Sequence, residues 1–242
     1  MIPLSDIGAC LVTRGDVDMH KILDSIEEMG IDEVVVWNNA VRPFNAKVFG
    51  RYLAILETRK PVIFIQDDDC IVTCLDELRA FYEPGKVVAN MVTEHRRGEP
   101  PMLGWGALFA RDLPWRAFEW WCQAGYPIDD LFIGYPETIF TALTPCVRLN
   151  IGSHQEPGST GHVDLPWAHT PSRSHRQPDH HRDFALVLER ARAVAAEHPY
   201  VAPERRPTVC EIYMAELDAR LAMIDRDRAR ASARHVAAGR RG

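Results

Sequence analysis

A chain of 242 residues, 46% hydrophobic and 26% charged, with 15 Gly and 17 Pro, can bury a core without disulfide or metal staples. Its composition excludes collagen-like, low-complexity and wholly disordered classes. The net charge of −6 is uneven: from Asp225 to Gly242 six arginines stand against two aspartates, a local +4 that leaves −10 on the other 224 residues. An acidic body argues against broad binding to phosphate backbones, which depends on Lys and Arg, and the basic tail is the exception.

In chain order, Ile7 to Val12 (IGACLV) is a short apolar run that predicts a buried strand ending at Thr13-Arg14-Gly15. Met19, Ile22, Leu23, Ile26 and Met29 then recur with helical spacing, and Gly30 supplies the stop. Glu33 to Trp37 (EVVVW) predicts a second strand, closed by Asn38-Asn39. A helix follows over Phe49 to Glu57, and Pro61 to Ile65 (PVIFI) predicts a third strand. Strands alternating with helices imply βαβ units and a parallel, doubly wound sheet of nucleotide-binding type.

Each of these strands ends in polar residues: Thr13-Arg14, Asn38-Asn39, and Asp67-Asp68-Asp69. Ligands of open α/β sheets sit beyond the carboxyl ends of the strands, so the three clusters are expected to converge. Further on, the pattern predicts a helix over Leu75 to Tyr82, a strand over Lys86 to Val92 and a glycine-bearing strand over Gly104 to Phe109. Helices over Trp115 to Gln123 and Glu137 to Leu143 flank the acidic Asp129-Asp130. Gly152 to Arg182 reads as a long irregular segment of the kind that serves as a lid or binding loop. Two helices, Phe184 to Glu197 and Val209 to His235, form a C-terminal extension, giving a division into 1–182 and 183–242. The last helix would pack on the domain or on the same helix of a second subunit, as a homodimer.

No run of 18 apolar residues is present, and MIPLSDIGAC lacks a cationic segment before a hydrophobic stretch. Neither a membrane span nor a signal peptide is expected, and the address implied is cytoplasmic. The six cysteines (10, 70, 74, 122, 146 and 210) are scattered without zinc-site pairing and read as reduced core residues.

The strongest chemical signal is Ile65-Gln66-Asp67-Asp68-Asp69-Cys70-Ile71-Val72. Three consecutive carboxylates between apolar flanks need positive charge, and carboxylate oxygen suits Mg2+ or Mn2+ completed by water and phosphate oxygens. A solvated turn that caps a helix would explain one Asp but not three.

QDDDC, with VVVWNN upstream and GWGALF downstream, resembles the GT-A glycosyltransferases, in particular their exostosin-like, family-2-like branch, over about residues 5 to 170. The resemblance implies a Rossmann-like, mixed but mainly parallel sheet flanked by helices. It implies a metal-dependent enzyme that moves a sugar from a nucleoside-diphosphate donor to a hydroxyl acceptor. By position, Asp69 and Asp67 would hold the metal, Asp67 and Asp68 would lie against the donor, and Arg14, Asn38 and Arg51 would form the nucleotide wall. Gly106, within Gly104 to Phe109, would line the sugar side. Glu137 or Asp130 would be the catalytic carboxylate, the choice staying open because Pro136 replaces the usual acidic neighbour.

Six of ten histidines (154, 162, 169, 175, 180 and 181) fall within 28 residues, and His162 in GSTGHVD is the one placed to add a metal ligand. The acceptor would be a glycan, a protein or a hydroxylated DNA base, as for some phage-encoded relatives of that family, with the host cytoplasm as the compartment if the chain is viral. Two rivals remain: a nucleotidyltransferase that makes sugar nucleotides, disfavoured because Thr13-Arg14-Gly15-Asp16 is not a Gly-rich basic loop, and a non-catalytic carbohydrate- or nucleotide-binding module.

Overall fold

The computed structural model describes residues 1–91, 99–149, 151, 161–168, 170 and 177–197. Its centre is a six-stranded sheet built from β1 (Ile7–Thr13), β2 (Val34–Asn38), β3 (Val62–Ile65), β5 (Val87–Asn90), β6 (Ala107–Ala110) and β7 (Cys146–Leu149), in the order β2-β1-β3-β6-β5-β7. β1 pairs in parallel with β2 and β3, and β5 with β7, while β6 runs antiparallel to both of its neighbours. The mixed, mainly parallel sheet is the expected Rossmann-like class. Five strands share one direction, so Thr13, Asn38 and Ile65 end on one edge, where β6 begins opposite Ile65 at Ala107.

Alternation along the strands makes two cores. Cys10, Ile63, Ile65, Ala89 and Phe109 point to one face, against α2 (Gly50–Glu57), α4 (Leu113–Gln123), α6 (Pro136–Leu143) and α7 (His180–Glu197). Ala9, Leu11, Phe64, Val88 and Leu108 point to the other, shared with Ile22 and Ile26 of α1 (His20–Glu28) and Leu75 and Leu78 of α3 (Leu75–Ala80). Such near-continuous apolar strands are what burial on both faces requires. On the first face Tyr52 meets Phe118 edge-on at 5.1 Å and Phe109 meets Phe140 at 4.9 Å. Contacts of this kind add about 0.5–1.5 kcal/mol each beyond area burial. They seat α2 and α6 firmly beside the strand ends.

Several elements depart from the expected boundaries. Gly104 and Trp105 form a turn closed by the Gly106 N–H donating to the Leu103 carbonyl at 3.1 Å, so β6 starts only at Ala107. β4 (Cys70–Val72) and β8 (His162–Asp164) form a separate two-stranded antiparallel sheet, and a short helix, α5 (Asp130–Gly134), is capped by the Asp129 carboxylate, which accepts from the Leu131 and Phe132 amides. α7, the first helix of the expected C-terminal extension, begins at His180, four residues early, and its Val187, Ala191 and Val194 join the first core. The expected helix over 209–235, the basic tail, Cys210 and His154, His169 and His175 lie outside the described residues. Among the described residues no helix is long and apolar enough to cross a membrane.

Candidate functional site

At the strand-end edge lies a cleft of about 590 Å³. It gathers Arg14 from beyond β1, Asp67, Asp68 and Asp69 from beyond β3, Arg51 from α2, Asp130 from α5 and Glu137 from α6. Of the three strand-end clusters, Thr13-Arg14, Asn39 and Asp67–Asp69 meet there, and seven of the ten candidate residues line the cleft.

The acidic turn is held by its main chain. The Asp67 N–H donates to the Gly104 carbonyl at 2.8 Å, prolonging the β3–β6 ladder by one bond. Trp167 Nε1 donates to the Asp68 carbonyl at 2.8 Å, and the Leu165 N–H donates to the Asp69 carbonyl at 2.7 Å. Beneath the turn, the fully buried Gln66 uses both ends of its amide: Nε2 donates to the Cys70 carbonyl at 3.2 Å and Oε1 accepts from the Val72 N–H at 3.4 Å.

Arg51 lines the cleft but is buried in its wall. Its side chain is 3% exposed; Nη2 donates to Asp67 Oδ1, and Nη1 donates to Glu137 Oε2 at 3.3 Å. Burial opposes its charge, but Asp67 and then Glu137 outweigh that cost and hold its pKa above the ordinary guanidinium range. The Leu103 N–H donates to the other Glu137 oxygen, so both oxygens of that carboxylate are engaged. Asp130, in contrast, is 87% exposed and meets Lys47 Nζ at 3.3 Å. Arg14 lines the cleft with Asp16 beside it at 2.7 Å.

Three expected residues do not line the cleft. Asn38 Oδ1 accepts from the Ala40 N–H at 2.9 Å and shapes the loop; the next residue, Asn39, faces the cleft instead. Gly106 has φ +106°, and a Cβ there would come within 2.8 Å of Val72 Cγ1, so it serves packing between β4 and β6. His162 lies opposite Val72 in the small sheet, stacks on Trp105 at 4.6 Å and approaches Asp164 at 3.6 Å, away from the cleft. Lining residues that sequence reasoning did not single out include Tyr135 before α6 and, at and just before the start of α7, Gln177, Asp179, His180, Asp183 and Phe184. Tyr135 donates through its hydroxyl to the His180 carbonyl at 3.2 Å, which ties α7 to that wall.

Among the described residues the cleft presents seven carboxylates (Asp67, Asp68, Asp69, Asp130, Glu137, Asp179 and Asp183) against three cations (Arg14, Lys47 and Arg51). Carboxylate oxygens are the donor set that hard divalent cations take. Among the described residues no three His, Cys, Asp or Glu side chains are grouped to enclose an ion. No protein-family model matches the chain, and comparison with curated proteins finds no match.

Proposed function

We propose that this chain is a metal-dependent glycosyltransferase of the GT-A type, which moves a sugar from a nucleoside-diphosphate donor to a hydroxyl acceptor with Mn2+ or Mg2+. The observation that carries the reading is the meeting of Arg14 and the Asp67–Asp69 turn in one cleft at the carboxyl edge of a mainly parallel sheet. The surplus of carboxylates supports it as well: a diphosphate would be repelled from this lining unless a divalent cation came with it.

In an inverting reaction the acceptor oxygen attacks the anomeric carbon, the bond from that carbon to the diphosphate oxygen breaks with its electrons leaving on the diphosphate, and a carboxylate takes the acceptor proton. A bound cation supplies Lewis-acid stabilisation of the leaving diphosphate. Arg14 adds a guanidinium that hydrogen-bonds phosphate oxygens. Asp130 is the better placed of the two base candidates, because both Glu137 oxygens already accept hydrogen bonds. On the α7 side Asp179 and Asp183 join Asp130, a lining that favours a neutral or cationic acceptor over a phosphodiester.

A panel of nucleotide sugars, screened by thermal shift with Mn2+ and then with EDTA, tests the reading. A donor that stabilises only with metal, followed by release of free nucleoside diphosphate on turnover, is the expected result. Release of pyrophosphate would make the chain a nucleotidyltransferase, and binding without turnover would make it a binding module.

A further inference from the structure

We infer that Lys47 is a second cationic contact for the donor diphosphate, and that it leaves Asp130 for the phosphate oxygens when the donor binds. The inference rests on the proposed reading of this cleft and adds to it a residue that the sequence did not single out.

Among the described residues Lys47 is the one residue other than glycine whose backbone lies in the left-handed region, at φ +49°. A β-carbon disfavours that conformation, so the surroundings must impose it, and strain of this kind collects at ligand sites. Asn39 Oδ1 accepts from the Ala46 N–H at 2.8 Å and from Trp37 Nε1 at 3.2 Å, while Asn39 Nδ2 donates to the Lys47 carbonyl at 3.2 Å. The Lys47 N–H donates to Asn45 Oδ1 at 2.8 Å. Asn39 is itself tied to the end of β1, where its N–H donates to the Thr13 carbonyl at 2.9 Å. The main chain of Lys47 is thereby latched to the strand ends that carry Arg14 and Asn39. Glycine would take this backbone without strain; the lysine brings a cation that lines the cleft.

The side chain is held far more loosely than the main chain. Nζ lies 3.3 Å from Asp130 Oδ1 and 3.5 Å from the Asp130 carbonyl, and Lys47 is 45% exposed. An ion pair this open is worth little, whereas a lysine against phosphate oxygens makes a charge-assisted contact with a group of higher charge. Of the three cations lining the cleft, Arg51 is buried and paired with Asp67 and Glu137, and Arg14 and Lys47 are the two that solvent reaches. A flexible four-carbon stem on a fixed main chain lets Nζ turn from Asp130 to a diphosphate held beside Arg14. That turn puts positive charge on the leaving group and uncovers Asp130 for the acceptor proton.

The experiment titrates the full chain by calorimetry with UDP, GDP, ADP and CDP in turn, each with Mn2+, beside thermal unfolding without ligand. Lys47→Met is expected to bind the preferred diphosphate about tenfold or more weakly, the scale of a charged hydrogen bond, with Tm unchanged. Lys47→Gly relieves the left-handed strain, so its Tm is expected to rise while affinity falls as far. Lys47→Arg keeps a cation and is expected to retain most of the affinity. Carbodiimide coupling followed by peptide mass spectrometry is expected to join Lys47 to Asp130 in the ligand-free chain, and to do so in much lower yield with diphosphate and Mn2+ bound. A lysine that only tethered Asp130 would leave diphosphate affinity level in Lys47→Met and Lys47→Gly, and that result overturns the assignment. Coupling that persists at the same yield with diphosphate bound overturns the exchange. A wild-type chain that binds none of the four diphosphates overturns the proposed function, and the role of Lys47 with it.

Discussion

The Asp67 carboxylate occupies the space that a side chain at residue 104 would need: a Cβ built on Gly104 would overlap Asp67 Oδ2. The same two residues are joined through the main chain by the Asp67 N–H and the Gly104 carbonyl at 2.8 Å. Neither can shift alone, so Gly104→Ala should displace the carboxylate from Arg51. A cost of about 1–3 kcal/mol is expected, the range for overpacking, read as a lower urea midpoint with an unchanged slope. Gly125→Ala is the control: its φ of +84° makes Ala unfavourable, but nothing lies near its Cβ position. Loss of nucleotide-dependent thermal stabilisation is expected in Gly104→Ala only.

Arg14 and Asp16 pair at 2.7 Å with both side chains well exposed, 40% and 45%. An ion pair this open contributes little to folding, so loss of the Asp16 pair in Arg14→Ala should by itself change ligand-free stability by less than about 0.5 kcal/mol. A hydrogen bond from a guanidinium to a phosphate is worth more, about 1.5–3 kcal/mol. Titration calorimetry with Mn2+ and the nucleoside diphosphate of the best donor is expected to show affinity reduced by about ten- to a hundredfold. Unchanged affinity would remove Arg14 from the donor site.

The first half of the sheet was legible because its signals are local. Apolar runs such as EVVVW and PVIFI and the spacing of Ile22, Leu23 and Ile26 report strand and helix within a few residues of themselves. β4 and β8 were not legible: each has three residues, and the pairing of Val72 with His162 spans 90 positions. Asn38 and Asn39 exchanged roles for a related reason, since successive side chains beyond a strand point to opposite sides and a one-residue choice decides which meets the ligand. Arg51 was found as a residue of the cleft, but its burial was not foreseen. A charged residue on a helix ordinarily faces water, and nothing local reveals that Glu137, 86 positions away, waits to neutralise it.

His162 and Trp105 stack with ring centroids 4.6 Å apart and planes within 15°. A structural role predicts that His162→Ala costs about 1 kcal/mol, the scale of an aromatic pair, and leaves Mn2+ affinity unchanged. His162→Phe should restore most of the stability, because it keeps a planar ring on Trp105. Loss of Mn2+ binding in both variants would return His162 to the metal site.

Three buried thiols, Cys10, Cys70 and Cys74, and the partly buried Cys146 give a pH signature. Burial first, with Glu77 adding to it, pushes Cys74 up to about 12, and burial pushes Cys146 up to about 12 as well; Cys10 and Cys70 are also raised, chiefly by burial. In the unfolded chain these groups titrate near 9.0. A folded pKa above the unfolded one means that the native state keeps protons which the unfolded state gives up. The stabilising contribution is therefore complete below pH 9.0 and is lost between pH 9.0 and about 12. Each such thiol should steepen alkaline destabilisation by about 1.4 kcal/mol per pH unit in that window. At pH 8 only about one Cys74 or Cys146 side chain in ten thousand is thiolate. Peptide-level mass spectrometry after iodoacetamide treatment should find the four unmodified in the native chain and modified in urea. Rapid native labelling of Cys74 would contradict its burial.

Asp130 and Glu137 line the same cleft in opposite circumstances, one exposed beside Lys47, the other held by Arg51 and Leu103. A general base must be free to take a proton in the transition state, and a carboxylate whose oxygens both accept fixed hydrogen bonds gives up part of that basicity. Asp130→Asn should therefore lower kcat by about a hundredfold or more while leaving Tm and donor binding intact, because the side chain is exposed and meets a surface lysine at 3.3 Å. Glu137→Gln should lower Tm and affect the reaction through the turn it supports, raising the metal or donor requirement more than it lowers kcat at saturation. Initial rates at saturating donor and Mn2+, measured beside thermal unfolding for the same preparations, separate the two. A Glu137→Gln chain with wild-type stability and no turnover, alongside an active Asp130→Asn, would reverse the assignment and make the clasped carboxylate the base.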